Sequence, residues 1–287
     1  TDILPTQELK QAVAYENMGE LYEKLDLLAS QIEKEGTSPQ QPPLIIAFLG
    51  NGKTSTGAQE VWDRLPVKTI EIEQLQETFE SGDRHFVYKL VLDIPDMYRF
   101  KKEHQAQYAE LSHRDIFHLY LKEPNLFESN MDTIFPYCSM WMNCIIWSDK
   151  YPRLISREAA KEWYKQSQNL QVIGDITCDP EGAIHFSAET WIDDPVFIYE
   201  PETEKQTQGF TGEGIAVMAV TNLPCEFPAD ASQQFSDDFS PLITSLLNSD
   251  FHAEQFEDAN LAPEIARACI LWKGKFTPEY SYMREYL

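Results

Sequence analysis

LIIAFLGNGKTSTGAQEVWDRLPVKTIEI, residues 44–72, is the stretch that decides the fold. LIIAFL (44–49) is an unbroken apolar run between Pro43 and Gly50, the pattern of a strand buried on both faces of a parallel sheet. Gly50 to Gly57 forms a glycine-containing turn, and TGAQEVWDR (56–64) reads as a helix that closes before Pro66. VKTIEI (67–72) reads as a second strand. Strand, glycine turn, helix and strand in this order make a βαβ unit.

Two phosphate-binding mechanisms compete for the turn. In a Rossmann turn Gly50 bends the chain out of the strand and Gly52 lets the backbone approach a pyrophosphate. The third glycine position of GxGxxG is then Ser55, with Gly57 two residues later. Phosphate would lie on the N–H groups of Lys53, Thr54 and Ser55 at the helix N-terminus. In a P-loop, Gly52-Lys53-Thr54 would supply the GKT, but Ala47 stands where the first glycine belongs, and Phe48 and Leu49 still look like strand. KLVLD (89–93) has the form of a Walker-B strand, a form shared by many strands that end in Asp. A plain strand-to-helix turn is the third alternative. A Rossmann site also wants a carboxylate about 20 residues past its first glycine, to hold ribose hydroxyls. Glu71 stands there, with Glu73 beside it.

Upstream, residues 6–35 read as one helix, with Leu9, Ala12, Ala14, Met18, Leu21, Leu25, Leu28 and Ile32 at three- and four-residue steps, followed by the Pro-rich linker GTSPQQPP (36–43). Downstream, FVYKLVLD (86–93), SMWMNCIIW (139–147), QVIGDI (171–176), VFIYE (196–200) and IAVMAV (215–220) read as strands. Residues 103–111, 114–122 and 157–165 read as helices, as does 229–247, with Phe235, Phe239, Leu242, Ile243 and Leu246 on one face.

Among 287 residues, Lys+Arg is 23 and Asp+Glu is 47, a formal charge of −24. Such a charge argues against nucleic acid and anionic membrane as partners, since both want a basic face. A small anionic cofactor remains allowed, because it responds to local N–H groups. The longest apolar runs, 44–49 and 134–147, are too short for a membrane span. Five cysteines without a CxxC spacing point to reduced, mostly buried thiols and a cytosolic chain, with mitochondria the alternative compartment. The six scattered histidines, without HExxH, give no metal site. TDILPTQELK has no leader features and no Met, and reads as an internal start.

Four stretches in order resemble one family. LGNGKTSTGAQEVWDRLP (49–66) is similar to the nucleotide-binding turn of lysine-ketoglutarate reductase and saccharopine dehydrogenase-like enzymes, within the alanine dehydrogenase/transhydrogenase fold group. In that family's form of the turn, Ser takes the third position and Gly-Ala-Gln follows, as in Ser55, Gly57, Ala58 and Gln59. YPRLISREAAKEW (151–163) resembles the segment after the strand that passes under the nicotinamide. GDITCDPEGAIHFSAETWIDDPVFIYEP (174–201) resembles the family's Asp-x-x-x-Asp strand end. GEGIAVMAVTNLPCEFPADASQQFSDDFSPLI (212–243) resembles its last strand, Asn-Leu-Pro turn and return helix.

The resemblance implies an α/β fold: a Rossmann-like doubly wound parallel sheet with a helical N-terminal lead and a C-terminal return helix. It divides the chain into an N-terminal helix and linker (1–40), a dinucleotide-binding domain (41–228) and a return helix with a remnant of a substrate domain (229–287). It implies the NAD(P)-binding part of an oxidoreductase of lysine metabolism, with hydride transfer at an imine carbon. A non-catalytic dinucleotide-binding or assembly module of the same fold is the alternative, and a P-loop protein the distant third. Asp179 is the expected catalytic group, orienting substrate and stabilising a developing cation. Gly50, Gly52, Lys53, Thr54, Ser55, Glu71, Trp147, Asp175, Asn222 and Leu223 are the expected cofactor contacts. Glu71 would favour NAD over NADP, because a carboxylate repels a 2′-phosphate. A small amino-acid or oxo-acid substrate and a homo-oligomer complete the expected partners. Because only about 40 residues precede the glycine turn, where the family carries a substrate segment, the chain by itself is expected not to turn over lysine and 2-oxoglutarate.

Overall fold

The structure, a computed structural model, describes residues 9–286. It divides into two compact units, residues 1–227 and 228–287.

In the first unit, helix α1 (Met18–Glu35) opens on Asn17, whose side chain accepts the Glu20 N–H at 3.0 Å. It closes on Gly36 at φ 76°, whose N–H bonds Ile32. The expected helix over 6–35 therefore starts late. Residues 12–14 form one 3₁₀ turn, Tyr15 is extended, and 6–8 lie outside the described residues. Asn17 is the cause: its short polar side chain satisfies an orphan N–H only from a non-helical backbone.

Strand β1 (Ile45–Leu49) is buried along its whole length. Helix α2 (Lys53–Trp62), β2 (Val67–Ile70), α3 (Leu75–Ser81) and β3 (Val87–Leu92) follow. The next segment holds the one-turn helix α4 (Ile94–Met97), the short antiparallel pair β4 (Tyr98–Phe100) and β5 (Phe127–Ser129), and α5 (His113–Lys122) between them. Then come β6 (Met140–Asn143), α6 (Arg157–Gln166), β7 (Val172–Asp175), β8 (Val196–Glu200), β9 (Lys205–Gln208) and β10 (Ile215–Met218). Residues 103–111, expected as a helix, are turns.

The eight strands of the main sheet lie in the order β2-β3-β1-β6-β7-β10-β8-β9. The six from β2 to β10 are parallel, whereas β8 and β9 run antiparallel to their neighbours. Alternate residues of β1 feed two cores. Ile45, Ala47 and Leu49 pack with Leu90, Leu92, Trp141 and Ile173. Ile46 and Phe48 pack with Leu44 and with Leu25, Leu28 and Ile32 of α1. Apolar cover on both faces is what allows a parallel sheet.

One finding differs from the simplest expectation. VKTIEI does not pair with LIIAFL; β3 lies between them, and β2 is the edge strand. The burial pattern agrees, since β2 exposes Lys68 and Thr69.

The chain enters and leaves this unit side by side. The Val13 N–H donates to Glu226 at 2.7 Å, and the Gln11 side-chain amide reaches Glu226 at 3.2 Å and the Ile192 carbonyl at 2.6 Å.

The second unit holds α7 (Pro228–Leu247), the one-and-a-half-turn α8 (Pro263–Ala268) and the hairpin β11 (Leu271–Trp272) with β12 (Lys275–Phe276). Lys273 and Gly274 both take positive φ, as a two-residue type I′ turn requires. The apolar face expected on 229–247 exists, but none of the helix is buried: Phe235 is 69% and Leu247 77% exposed. Among the described residues no helix is long and apolar enough to cross a membrane.

Candidate functional site: the carboxyl edge of the sheet

After β1 the chain moves to the β2–β3 wing, and only later to β6, β7 and β10 on the other side. The β1–β6 boundary is thus the topological switch point, outside whose strand ends an open α/β sheet binds ligands. Leu92, Leu49, Asn143 and Asp175 stand in register along this edge.

Three residues, Gly50 to Gly52, separate β1 from α2. Gly50 has φ 103°, and its N–H bonds the Leu92 carbonyl at 2.9 Å. A Cβ there would meet Ile145 at 3.1 Å and the Cys144 carbonyl at 3.4 Å, so a larger residue is both strained and crowded. Gly52 is the N-cap of α2, and no side chain caps that end. A Cβ on Gly52 would meet nothing within 4 Å. The space over the first turn of α2 is therefore open, its N–H groups are uncapped, and Lys53 and Thr54 are exposed. Ser55 is fully buried and accepts the Gln59 amide at 3.0 Å, which makes it a helix–sheet packing position. So short a connection cannot wrap a β-phosphate in the P-loop manner, and Ala47 lies inside the strand.

Glu71 is not brought to this turn. It follows the edge strand β2, two strand spacings from β1, or about 10 Å. Its carboxylate caps the 3₁₀ turn Ile72–Gln74, while the Gln74 side chain accepts the Glu71 N–H at 2.9 Å. The position beside Gly50 belongs to Asp93, which follows Leu92 at the end of β3. The Asp93 carboxylate accepts the Ile94 N–H at 2.7 Å and remains half-exposed. The sequence signal was present in KLVLD, a hydrophobic run ending in Asp, but which strand lies next to β1 is a matter of tertiary pairing.

On the other side of β1, Asp175 ends β7 and is 1% exposed. Its carboxylate accepts from Asn143 at 2.8 Å, from Thr177 at 3.3 Å, from Ser187 and from the Cys178 N–H at 3.4 Å. Asp175 is thus a knot that ties the β6 and β7 ends to the loop 176–187. Asn143 and Ser187 escaped sequence reading because neither residue type in a strand or loop signals a role by itself. Asn143 also leaves its buried Oδ1 without a partner. Asp179 lies on that loop, in a tight turn closed by the Gly182 N–H to its carbonyl at 2.9 Å. Burial, and then the Asp175 charge, push the Asp179 carboxyl above the usual aspartate range. Burial and the same charge push Cys144 up to about 11; Cys178 also rises to about 11, with Glu189 and Asp179 adding to these two causes. Both thiols therefore stay protonated at neutral pH.

Trp147 is half-buried, donates to the Pro152 carbonyl at 3.3 Å, and carries the Arg153 guanidinium 5.2 Å from its ring. Asn222 stands at the start of the 3₁₀ turn Leu223–Glu226 just past β10, makes no side-chain capping bond and is exposed. The glycine turn, the Asp175–Asp179 loop and the Asn222–Leu223 turn therefore share one edge, reached from β1, β7 and β10, with β6 between β1 and β7. A dinucleotide fits this edge on two counts: a glycine cradle that a Cβ would fill, and a buried orphan acceptor at the switch point.

Residues 143–279 match the family described as Alanine dehydrogenase/PNT, C-terminal domain. The chain is 31% identical over 274 residues to alpha-aminoadipic semialdehyde synthase of Arabidopsis thaliana, a match covering 89% of this chain and 24% of that protein. It is 30% identical over 259 residues to the mitochondrial alpha-aminoadipic semialdehyde synthase of Mus musculus, covering 85% and 27%. The bovine protein of that name is 26% identical over 298 residues, covering 98% and 31%. The chain thus spans about a quarter to a third of the length of the curated relatives it matches.

Proposed function

We propose, from the match of residues 143–279 to the alanine dehydrogenase/PNT C-terminal domain family and the similarity of the chain to part of the alpha-aminoadipic semialdehyde synthases, that it is the NAD(P)-binding module of an oxidoreductase of lysine metabolism. The observation that carries this reading is the open, uncapped N-terminus of α2 behind Gly50 and Gly52, at the point where the strand order of the parallel sheet switches sides. When bound, the nicotinamide supplies the hydride. The chain supplies position. N–H groups of Lys53 and Thr54 would hold the pyrophosphate, Asp93 would accept from a ribose hydroxyl, and the Asn222–Leu223 turn would border the nicotinamide end. Asp179 faces the imine carbon of a small amino-acid or oxo-acid substrate. Its carboxylate would stabilise the iminium cation as that charge develops at the substrate carbon, an interaction stronger in the transition state than with the neutral amine. Because a carboxylate at the ribose disfavours a 2′-phosphate, NAD(H) binds more tightly than NADP(H).

NADH and NADPH titrations followed by calorimetry test the reading. Gly52→Val places a branched side chain in the cradle and should weaken binding more than tenfold, about 1.4 kcal/mol or more. Equal affinity of Gly52→Val and the parent chain would move the dinucleotide away from this turn. Absence of binding at millimolar NADH and NADPH would remove the function.

A further inference from the structure

A groove of about 440 Å³ runs along β2, the edge strand at the α3 side of the sheet. One wall is the strand itself, through Lys68, Thr69 and Ile70. The other wall is one side of α3 and its cap: Gln74, Glu77, Thr78 and Ser81 recur at three- and four-residue steps and face the same space. Leu75 and Phe79, on a different side of α3, pack into the core, so the helix is anchored away from the groove. The floor is shallow and open to solvent: Tyr88 keeps 6%, Ile70 7% and Thr78 9% of its surface, and the wall residues Thr69 and Glu77 are exposed.

The backbone of β2 has bonds left to give. The Val87 N–H donates to the Pro66 carbonyl at 3.0 Å, which fixes the alternation: Pro66, Lys68 and Ile70 turn their peptide groups toward β3, and Thr69 turns its N–H and carbonyl outward. Among the described residues neither outward group of Thr69 has a partner. Charge says what could come. Between Lys68 and Arg84 the chain carries Glu71, Glu73, Glu77, Glu80 and Asp83 and no Lys or Arg. Lys68 is engaged locally, its ammonium 3.3 Å from the centre of the Phe86 ring. Asp83 is bonded to the His85 ring at 2.8 Å and Glu80 to the Gln76 amide at 2.9 Å, whereas the Glu77 carboxylate has no partner among the described residues. Two copies of this edge would set acid against acid, which destabilises a strand pair, so the surface favours a basic strand over its own kind.

From this we infer that β2 accepts an added strand: an extended, Lys- or Arg-bearing segment of a partner protein lies in the groove between β2 and α3, bonded to the Thr69 backbone, with a basic side chain over Glu77. Main-chain bonds to Thr69 hold the segment irrespective of its sequence, and Glu77 on the α3 wall selects its charge. The groove shares no residue with the glycine turn, Asp93, Asp179 or Asn222, so the inference stands or falls separately from the function proposed above.

The probe is a fluorescein-labelled heptapeptide of alternating Lys and Val, titrated into the full chain and followed by anisotropy. It should bind with a Kd of roughly 100 μM or tighter and more weakly as salt is raised. The same peptide with Glu for Lys should not bind. Two further forms carry the same charge but are N-methylated, one on the Lys and one on the Val nitrogens; one of them should lose about tenfold or more, because a strand turns alternate N–H groups to its neighbour. Thr69→Pro removes the outward donor at an edge position where Pro is tolerated and should also cost about tenfold, while Thr69→Val stays within about threefold. Glu77→Gln should weaken the Lys peptide about threefold. No binding of the Lys peptide, equal binding of the Glu peptide, or parent-like binding of both N-methylated forms would overturn the inference. Dimerisation of the full chain in sedimentation, lost in Thr69→Pro, would give the edge to a second copy and overturn the partner. Thermal melts show whether Thr69→Pro folds; the N-methylated peptides, used on the parent chain, decide the matter without it.

Discussion

Half-buried beside a second carboxylate, Asp179 holds its proton to higher pH than a free aspartate does. The native state therefore binds that proton more tightly than the unfolded chain. Stability falls as pH rises from the unfolded toward the native value, and the penalty is then constant. Asp179→Asn should accordingly be more stable than the parent at pH 7, with the difference closing below the unfolded aspartate value; paired thermal melts at pH 7 and pH 3.5 check this. A parent chain more stable than the variant at neutral pH would mean that Asp179 is stabilised as an anion. The same variant should lose at least tenfold in turnover wherever turnover is measured, since a neutral amide steadies a cation poorly. At the ribose end two carboxylates compete. Asp93→Asn should weaken NADH binding about tenfold, roughly 1.4 kcal/mol for one charged hydrogen bond, while Glu71→Gln stays within about twofold. The opposite ranking would return the ribose to Glu71 and require a different strand order.

Helix α1 is set by its ends as much as by its face. Asn17→Ala removes the side chain that holds the Glu20 N–H and should cost about 1 kcal/mol in urea unfolding. An unchanged midpoint would show that the helix extends upstream without its cap. The apolar spacing that suggested a start near residue 6 carried no information about this, because Leu9, Ala12 and Ala14 satisfy a helical period without being held in one. LIIAFL was legible for the opposite reason: a central strand with both faces buried has no polar residue to obscure it. VKTIEI was legible as a strand but not by its place, since the edge position of β2 follows from long-range pairing with β3. The same gap hid that the strand end beside Gly50 carries Asp93 and not Glu71. The β4–β5 pair was invisible in the sequence, because three-residue strands have no period to read. Gly50 and Gly52 could be singled out because each depends on local backbone geometry, whereas Asp175 and Asp179 were marked only by the family resemblance.

At the scale of the molecule, every residue assigned to the dinucleotide lies between 50 and 223, inside the first unit. A fragment ending at Phe227 should therefore fold with a single cooperative transition and keep NADH affinity within about threefold, by circular dichroism and calorimetry. Loss of folding in that fragment would make the second unit part of the same cooperative structure. The two hydrogen bonds that join Gln11 and Val13 to Glu226 bear on something else. A body whose incoming and outgoing segments are fastened together occupies no more width at its base than a loop does. It can be spliced between two neighbouring residues of a larger protein without stretching the host or prising itself open. At such a seam either flanking segment could lengthen while the sheet stays intact.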